Sequence, residues 1–326
     1  MWNASSYWAP ANQKTRPLVL ASFETSRHPR ILNGLKNAGL RGAYIVHDLI
    51  PIRNQEFFSQ RSIERLEKLF KRLLTNNDPI ITVSNWVKRE LIDWGKTAIH
   101  SNYIGEIQTC QLNSMIPEGR DWDETVPELE GQAFAVFCSS FSQMKRHDLL
   151  VNVWSRIAIK QPNIKMPILV LVGRRSDGWP AFERALAAAP HLEGKVLVFS
   201  NMGDAQLNWC YRNAAFTLFP STAEGWDLGI SESLAFGTPV FHTNLPTLIE
   251  AAQNLMPNAN SSDIDEWVDM LTPYLVDQTK LQQLRQTIAD EYLPGDKYSF
   301  PRCVVAFLEI CYLKASIHEV GLRDRK

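Results

Sequence analysis

The sequence predicts an α/β protein with two doubly wound domains, each built around a parallel sheet. Three observations favour this fold class. The chain has 326 residues, which is enough for two domains of ordinary size. Short apolar runs alternate with amphipathic stretches, as strands and helices do around parallel sheets. An acidic segment containing Pro and Gly, residues 118–132, interrupts the alternation and is interpreted as a linker.

The first domain is placed at residues 1–128. Its apolar runs predict strands within residues 17–22, 41–48 and 78–84. Residues 61–77, RSIERLEKLFKRLLTNN, carry apolar side chains at helical spacing and predict an amphipathic helix between the second and third strands.

The second domain is placed at residues 129–326 and has a longer series of the same kind. Residues 264–315 are helical by periodicity, which leaves open that the C-terminal helix packs back on the first domain. Ligands of doubly wound sheets lie beyond the carboxyl ends of the strands, so candidate ligand groups should follow strands. The predicted strands are 133–140, 166–173, 195–200, 216–221 and 238–243, and the predicted helices are 147–160, 181–189 and 205–214.

Charge and cysteine content narrow the functional classes. Lys plus Arg number 34 and Asp plus Glu 35, so no basic field favours nucleic acid as a partner. The N-terminal residues lack a secretory signal, and no segment is apolar enough to span a membrane. We expect a cytoplasmic protein, with peripheral contact to the inner face of the membrane left open. The five cysteines lack C-x-x-C spacing and are expected to be free thiols: Cys110, Cys138, Cys210, Cys303 and Cys311.

The stretch FPSTAEGWDLGISESLAFGTPV, residues 219–240, places two carboxylates around a predicted helix start. Glu224 follows a strand, and Glu232 falls in the first turn of a helix that Asp227 caps and Gly237 closes. Glu232 alone could simply complement the helix dipole. Alternatively, the helix start holds a diphosphate and Glu232 accepts hydrogen bonds from a ribose diol. A second acid beside Gly225 has little structural purpose, which favours the ligand interpretation.

These residues resemble the signature P-S-x-x-E-G-[FW]-G-L-P-x-x-E-[AS]-L-A-x-G-x-P-V of retaining nucleotide-sugar glycosyltransferases. The resemblance is to the family 4-like enzymes, or glycosyl transferases group 1, which carry the Glu-x(7)-Glu motif. It implies the GT-B fold, in which two Rossmann-like domains face a cleft. It also implies that Glu224 lies by the donor sugar hydroxyls and that Glu232 binds the ribose. Donor contacts are further implied for Gly225, Trp226, Leu228, Gly229 and Ile230. Asp227 and Gly229 depart from the signature, which has Gly and Pro there.

A leaving diphosphate requires positive charge. The family supplies it with G-R-x-x-x-x-K, and the matching stretch here is SSFSQMK, residues 139–145. Lys145 fits the lysine position, whereas Ser140 replaces the arginine, which leaves Arg146 or Arg174 as substitutes. A solvated lysine at a helix start would be opposed by the dipole, so an anionic ligand explains Lys145 better.

Metal ions are the other means of neutralising a diphosphate. The DWD at residues 121–123 resembles the D-x-D of metal-dependent glycosyltransferases, but it lies in the proposed linker. We interpret it as solvated charge, and neither a metal nor another cofactor is expected.

The first domain carries a weaker part of the resemblance. The segment YIVHDLIP is similar to the family's H-D-x-x-P, which implies that His47 faces the donor sugar. Ser84 is as readily a helix cap as a ligand. Compared with the family, we expect the N-terminal domain to be shortened by one or more strand–helix units. This leaves open whether an oligomer or a partner chain completes the acceptor side.

The function that follows is a retaining hexosyltransferase with a GDP- or UDP-linked sugar donor and a saccharide or lipid-linked saccharide acceptor. Analogy with bacterial mannosyl- and rhamnosyltransferases favours GDP-mannose. Backbone near Met202, after the strand at 195–200, is expected to contact the base. Lys145 and helix amides would stabilise the leaving diphosphate, while Glu224 and His47 orient the sugar. The alternatives are a noncatalytic nucleotide-sugar-binding or regulatory partner, and another GT-B reaction such as epimerisation or phosphorolysis.

Overall fold

A computed structural model describes residues 19–21, 37, 42–100, 103, 105–112, 123–295 and 299–323. The chain divides into two units, one formed by residues 1–112 with 298–326 and the other by residues 113–297. Both units contain parallel sheets with helices in the connections, which confirms the predicted α/β class.

The first unit contains a parallel sheet in the order β1-β2-β3-β4. Its fourth strand was not predicted, because Ile107, Gln108 and Thr109 do not form an apolar run. The strands are β1 (Val19–Ala21), β2 (Gly42–Val46), β3 (Ile80–Thr82) and β4 (Ile107–Thr109). The helices between them are α1 (Ile50–Arg53), α2 (Gln60–Thr75) and α3 (Asn85–Ile99).

Helix α2 shows why the sequence folds as predicted. Ser59 caps it by accepting a hydrogen bond from the Ser62 backbone N–H. The apolar residues buried along it recur at helical spacing, so one face packs against the sheet while charged residues face solvent. Ser84 caps α3 in the same way, accepting from the Val87 N–H at 3.1 Å.

The last helix, α11 (Ser299–Arg323), belongs to the first unit. Its residues Val304, Phe307 and Cys311 are buried in one cluster with Ile81 of β3 and Cys110 after β4. This spacing places one face of the helix against a face of the sheet.

Two cysteines are bonded, contrary to the expectation of free thiols. Cys110 and Cys303 form a disulfide with a Cα–Cα distance of 5.7 Å. They are 193 residues apart, so their spacing in the sequence could not indicate the pair. Cys138, Cys210 and Cys311 form no disulfide within the described part of the chain.

The second unit contains a six-stranded parallel sheet in the order β10-β9-β8-β5-β6-β7. The strands are β5 (Phe134–Cys138), β6 (Ile168–Val172), β7 (Val196–Phe199), β8 (Phe216–Phe219), β9 (Val240–Thr243) and β10 (Asn258–Ala259). The helices are α4 (His147–Lys160), α5 (Trp179–Ala187), α6 (Asp204–Asn213), α7 (Leu228–Ala235), α8 (Pro246–Ala251), α9 (Ile264–Val276) and α10 (Gln278–Glu291). The predicted helical stretch 264–315 is thus divided, at Asp277 and again between 291 and 299.

The central strands of this sheet are buried on both faces. Along β5, Ala135 and Phe137 enter one apolar cluster, whereas Phe134 and Val136 enter another on the opposite side. Side chains of a strand alternate between faces, so helices on both sides produce a continuous apolar run. This is why the sequence shows apolar runs rather than alternation.

The acidic segment interpreted as a linker packs on the second unit from residue 123 onward. Val126 and Leu129 are buried with the β5 and β6 residues of one sheet face. The Glu124 N–H donates to the Ala205 carbonyl, and Asp123 pairs with Arg212 at 2.7 Å. Two apolar side chains therefore anchor this stretch of the supposed linker. Asp121, the other acid of DWD, lies outside the described residues.

None of the described helices is long and apolar enough to cross a bilayer.

Candidate active site

The strand order of the second unit defines where a ligand can bind. The chain adds β6 and β7 on one side of β5, and then β8, β9 and β10 on the other. The order therefore reverses between β5 and β8, and loops leaving their carboxyl ends diverge to opposite faces of the sheet. In doubly wound sheets this point forms the ligand crevice. The loops concerned are residues 139–146 after β5 and 220–227 after β8.

Hydrogen bonds fix the two loops to each other. The Thr222 backbone N–H and hydroxyl both donate to the Met144 carbonyl, at 2.8 and 3.3 Å. The Thr247 hydroxyl donates to the Glu224 carbonyl at 2.9 Å and orients the backbone that carries the carboxylate. Neither threonine could be identified from the sequence, since no motif connects it with a partner 78 or 23 positions away.

An ion pair connects the two loops at the predicted positions. The Lys145 ammonium donates a hydrogen bond to Glu224 Oε1. Asp227 Oδ2 lies 4.0 Å from the same nitrogen. All three side chains are largely covered, with 21% of Lys145, 10% of Glu224 and 12% of Asp227 exposed. Burial alone would lower the pKa of Lys145, but the two carboxylates outweigh it and raise that pKa, so the lysine is charged.

Asp227 caps α7, as the sequence predicts. Its Oδ1 accepts a hydrogen bond from the Gly229 N–H at 2.9 Å. Burial and the neighbouring Glu224 raise the pKa of Asp227, although Lys145 and backbone donors at the helix start act in the opposite direction.

Glu232 lies in the second turn of α7, and not in the first turn where the sequence analysis placed it, because the helix begins at Leu228. Burial, followed by the charges of Asp227 and Asp204, raises its pKa to about 7. Its carboxylate makes no hydrogen bond or ion pair with any residue in the described part of the chain. A half-buried carboxylate of this kind is available to accept hydrogen bonds from a ligand.

Gly229 is required by packing inside the unit. A Cβ at this position would lie 2.6 Å from the Phe219 ring and 3.0 Å from the Tyr211 hydroxyl. The close approach observed is to β8 and α6, and the donor contact expected for this glycine stays a prediction. The absence of a side chain lets the first turn of α7 settle against these aromatic rings.

The remaining motif residues lie around the same helix start. Trp226 is half-buried, and its indole N–H donates to the Ser231 hydroxyl at 3.3 Å. Gly225 and Ile230 are buried, and Leu228 is the half-buried first residue of α7.

Arg146 and Arg174 were proposed to replace the arginine that Ser140 lacks. Neither contacts the carboxylates around the start of α7. Ser140 is exposed in the loop after β5. Arg146 donates to the Ser261 carbonyl at 2.8 Å and pairs with Asp148. Arg174 is exposed in the loop after β6.

His147 adds no second cation to the site. Its ring is 2% exposed and stacks on Phe141 with centroids 3.9 Å apart. Burial and the adjacent Lys145 lower the pKa of His147 to about 3, so it is neutral at physiological pH.

The two remaining predicted site residues follow other strands. His47 follows β2 in the first unit and is exposed, next to Asp48, whose carboxylate accepts from the Ile50 N–H at 2.9 Å. Met202 follows β7, the edge strand, and its sulfur accepts a hydrogen bond from the Cys210 thiol. Their roles stay predictions.

Comparison with known proteins adds family information to this geometry. Residues 120–289 match the family model described as glycosyl transferases group 1. The chain is 23% identical over 261 residues to the serotype-specific mannosyltransferase WbdA of Escherichia coli. This match covers 73% of this chain and 31% of WbdA. It is 24% identical over 237 residues to the O-antigen chain mannosyltransferase B of Escherichia coli, covering 69% and 58% of the two chains. The chain therefore spans 31% of the length of the first relative and 58% of the length of the second.

Among solved structures, sucrose-phosphate synthase from Thermosynechococcus elongatus superimposes with a TM-score of 0.65 at 17% identity. The superposition covers 95% of this chain and 74% of that enzyme.

Proposed function

The chain belongs to the glycosyl transferases group 1 and has the GT-B α/β fold, and from this premise we propose that it is a retaining hexosyltransferase. The donor would be a nucleotide-diphosphate sugar. The acceptor would be a saccharide or a lipid-linked saccharide in glycan biosynthesis.

One observation carries this proposal: Lys145 and Glu224 meet at the switch point of the second sheet, beside the start of α7. An ammonium, a carboxylate and a helix N-terminus are the groups needed for a phosphate and a neighbouring sugar. Glu232 lies on the same helix with its carboxylate unpaired within the described chain, which suits a ribose diol.

GDP-mannose is the donor we favour. Both curated relatives described above are named mannosyltransferases. Because the identity is low and the coverage is partial, these relatives support a hexosyl donor more strongly than mannose itself.

The chemistry proposed is substitution on one face of the anomeric carbon. The bond from C1 to the diphosphate oxygen breaks as the bond from C1 to the acceptor oxygen forms, and the acceptor proton passes to the departing phosphate. Lys145 would exchange its bond with Glu224 for one with the diphosphate and stabilise the developing negative charge. Glu224, released from the lysine, would accept hydrogen bonds from the sugar hydroxyls and hold the ring in position.

The experiment has two stages. Thermal unfolding with GDP-, UDP- and dTDP-sugars identifies the donor, because a ligand that binds the native state raises the Tm. Transfer to mannoside acceptors is then monitored in two ways. Release of the nucleotide diphosphate gives the rate, and NMR of the product gives its anomeric configuration. We expect the configuration of the donor to be retained. We also expect Glu224→Gln to lower kcat by at least tenfold, whereas Glu183→Gln, at an exposed position of α5, has no effect.

The same assays address the noncatalytic alternative, which the serine at position 140 favours. Nucleotide sugar that stabilises the protein without release of nucleotide diphosphate or transfer would support a binding or regulatory partner. An inverted product would contradict the retaining mechanism while leaving glycosyl transfer in place.

A further inference from the structure

Asp227 interacts with two groups, a helix amide and an ammonium, that would bind the donor diphosphate under the proposed function. Its Oδ1 accepts from the Gly229 N–H at the start of α7, and its Oδ2 lies 4.0 Å from the Lys145 ammonium. An amide at a helix start and an ammonium are also the partners that a phosphate oxygen would take. The family signature has glycine at this position and presents no carboxylate there.

The negative charges near Lys145 strengthen the conflict between the Asp227 carboxylate and a donor diphosphate. Glu224 is bonded to the same ammonium, and Glu232 lies one turn further along α7. Two carboxylates thus lie beside one ammonium at the start of the helix, and a third carboxylate lies one turn along it. A nucleoside diphosphate brings at least two more negative charges into a largely covered site, where like charges repel more strongly than in water.

We propose that Asp227 is an intrinsic competitor of the donor diphosphate, holding the Gly229 amide and sharing Lys145 until the donor displaces its carboxylate. This inference rests on the proposed function. It makes Asp227 a determinant of donor affinity, and it means that the chain binds nucleotide diphosphates more weakly than the same site with glycine.

The environment of Asp227 indicates how it can be displaced. Burial and Glu224 raise the pKa of this carboxyl, so it accepts a proton closer to neutral pH than an ordinary aspartate. The groups that act on it or lie beside it are Glu224, Lys145, Glu232, Cys138 and Tyr211. Burial raises the pKa of Cys138 to about 12 and raises that of Tyr211, so neither carries charge near pH 7. Competition should therefore weaken as the pH falls.

The test is isothermal titration of GDP and UDP into the wild-type chain, Asp227→Asn and Asp227→Gly. Asparagine is as good a helix cap as aspartate, and glycine is nearly as good, so both variants should fold. Asp277→Asn is the matched control, because Asp277 caps α10 through the same type of bond, to the Thr279 N–H at 3.0 Å. Thermal unfolding without ligand checks that each variant is folded.

We expect both Asp227 variants to bind the preferred nucleotide about tenfold more tightly than the wild type, with Asp277→Asn unchanged. The wild type should also gain more affinity than Asp227→Asn between pH 8 and pH 6. If the wild type binds and the Asp227 variants bind equally or more weakly, Asp227 is no competitor, and the proposed function stands. If no variant binds either nucleotide, the proposed function fails and the inference fails with it.

Discussion

Lys145 and Glu224 are 79 positions apart in the sequence, and their side chains form a hydrogen-bonded ion pair at the carboxyl ends of neighbouring strands. The pair joins the loop after β5 to the loop after β8 in a largely covered environment. It therefore combines a structural role in the unliganded chain with the proposed role toward a diphosphate.

A double-mutant cycle on this pair measures the structural role. We expect Lys145→Met and Glu224→Gln to couple by about 1–3 kcal/mol in the free energy of unfolding, because each single change leaves a largely buried charge without its partner. Chemical denaturation at pH 7 gives the four values needed. The control is Lys160 with Asp265, an ion pair at 3.2 Å with both side chains about half exposed, where coupling of at most about 0.5 kcal/mol is expected. Equal coupling in the two cycles would show that the Lys145 pair is no stronger than a surface pair.

Glu232 should make stability depend on pH. Its pKa is about 7 in the folded chain, compared with 4.5 for an ordinary glutamate. Between these values the native state holds a proton that the unfolded state releases. The free energy of unfolding therefore falls as the pH rises toward 7, and this contribution is lost above it. The free energy of unfolding should differ between pH 5.5 and pH 7.5 by about 1–2 kcal/mol less in Glu232→Gln than in the wild type.

The measurement for Glu232 is chemical denaturation of both proteins at the two pH values, with Glu183→Gln as control. Asp227 has a raised pKa as well, so part of the slope should persist in the variant. A variant that is as pH-dependent as the wild type would contradict the assignment of the slope to Glu232.

Gly229→Ala should destabilise the second unit by about 1–3 kcal/mol, because the new methyl group has no room beside Phe219 and Tyr211. Gly203→Ala is the matched control, since a Cβ there would meet nothing within 4 Å and the change should stay within about 0.5 kcal/mol. Thermal and chemical unfolding compare the two variants. A Gly229→Ala protein as stable as the control would show that α7 can shift away from the aromatic rings without loss.

Alkylation provides the measurement for the disulfide between Cys110 and Cys303. Unfolded without reductant, the chain should take up three iodoacetamide groups, at Cys138, Cys210 and Cys311. After reduction it should take up five, which mass spectrometry distinguishes. Replacing Cys110 and Cys303 by serine should lower the free energy of unfolding by about 2–4 kcal/mol, since the bridge closes a long loop. Labelling of all five cysteines without reductant would mean that the bridge is absent in solution.

Much of the fold could be predicted from the sequence because the relevant signals are local. The apolar runs that became β5, β6 and β8 are bounded by turn residues, and Asp227 caps α7 where a polar side chain precedes the apolar period. The strand β4 and the bond between Cys110 and Cys303 could not be predicted. The residues of β4 do not form an apolar run, and the partners of the bond are distant in the sequence.

The sequence by itself determined the residue types of the site and their positions after strands, because the motif spans 22 consecutive residues around one helix start. Only the tertiary structure decided how those residues are paired. Lys145 meets Glu224 because β5 and β8 are neighbours, Gly229 faces aromatic rings, and the Asp227 carboxylate comes within 4.0 Å of the Lys145 ammonium. Pairing depends on strand order and on side-chain distances of a few ångströms, and neither is encoded in the spacing of residues along the chain.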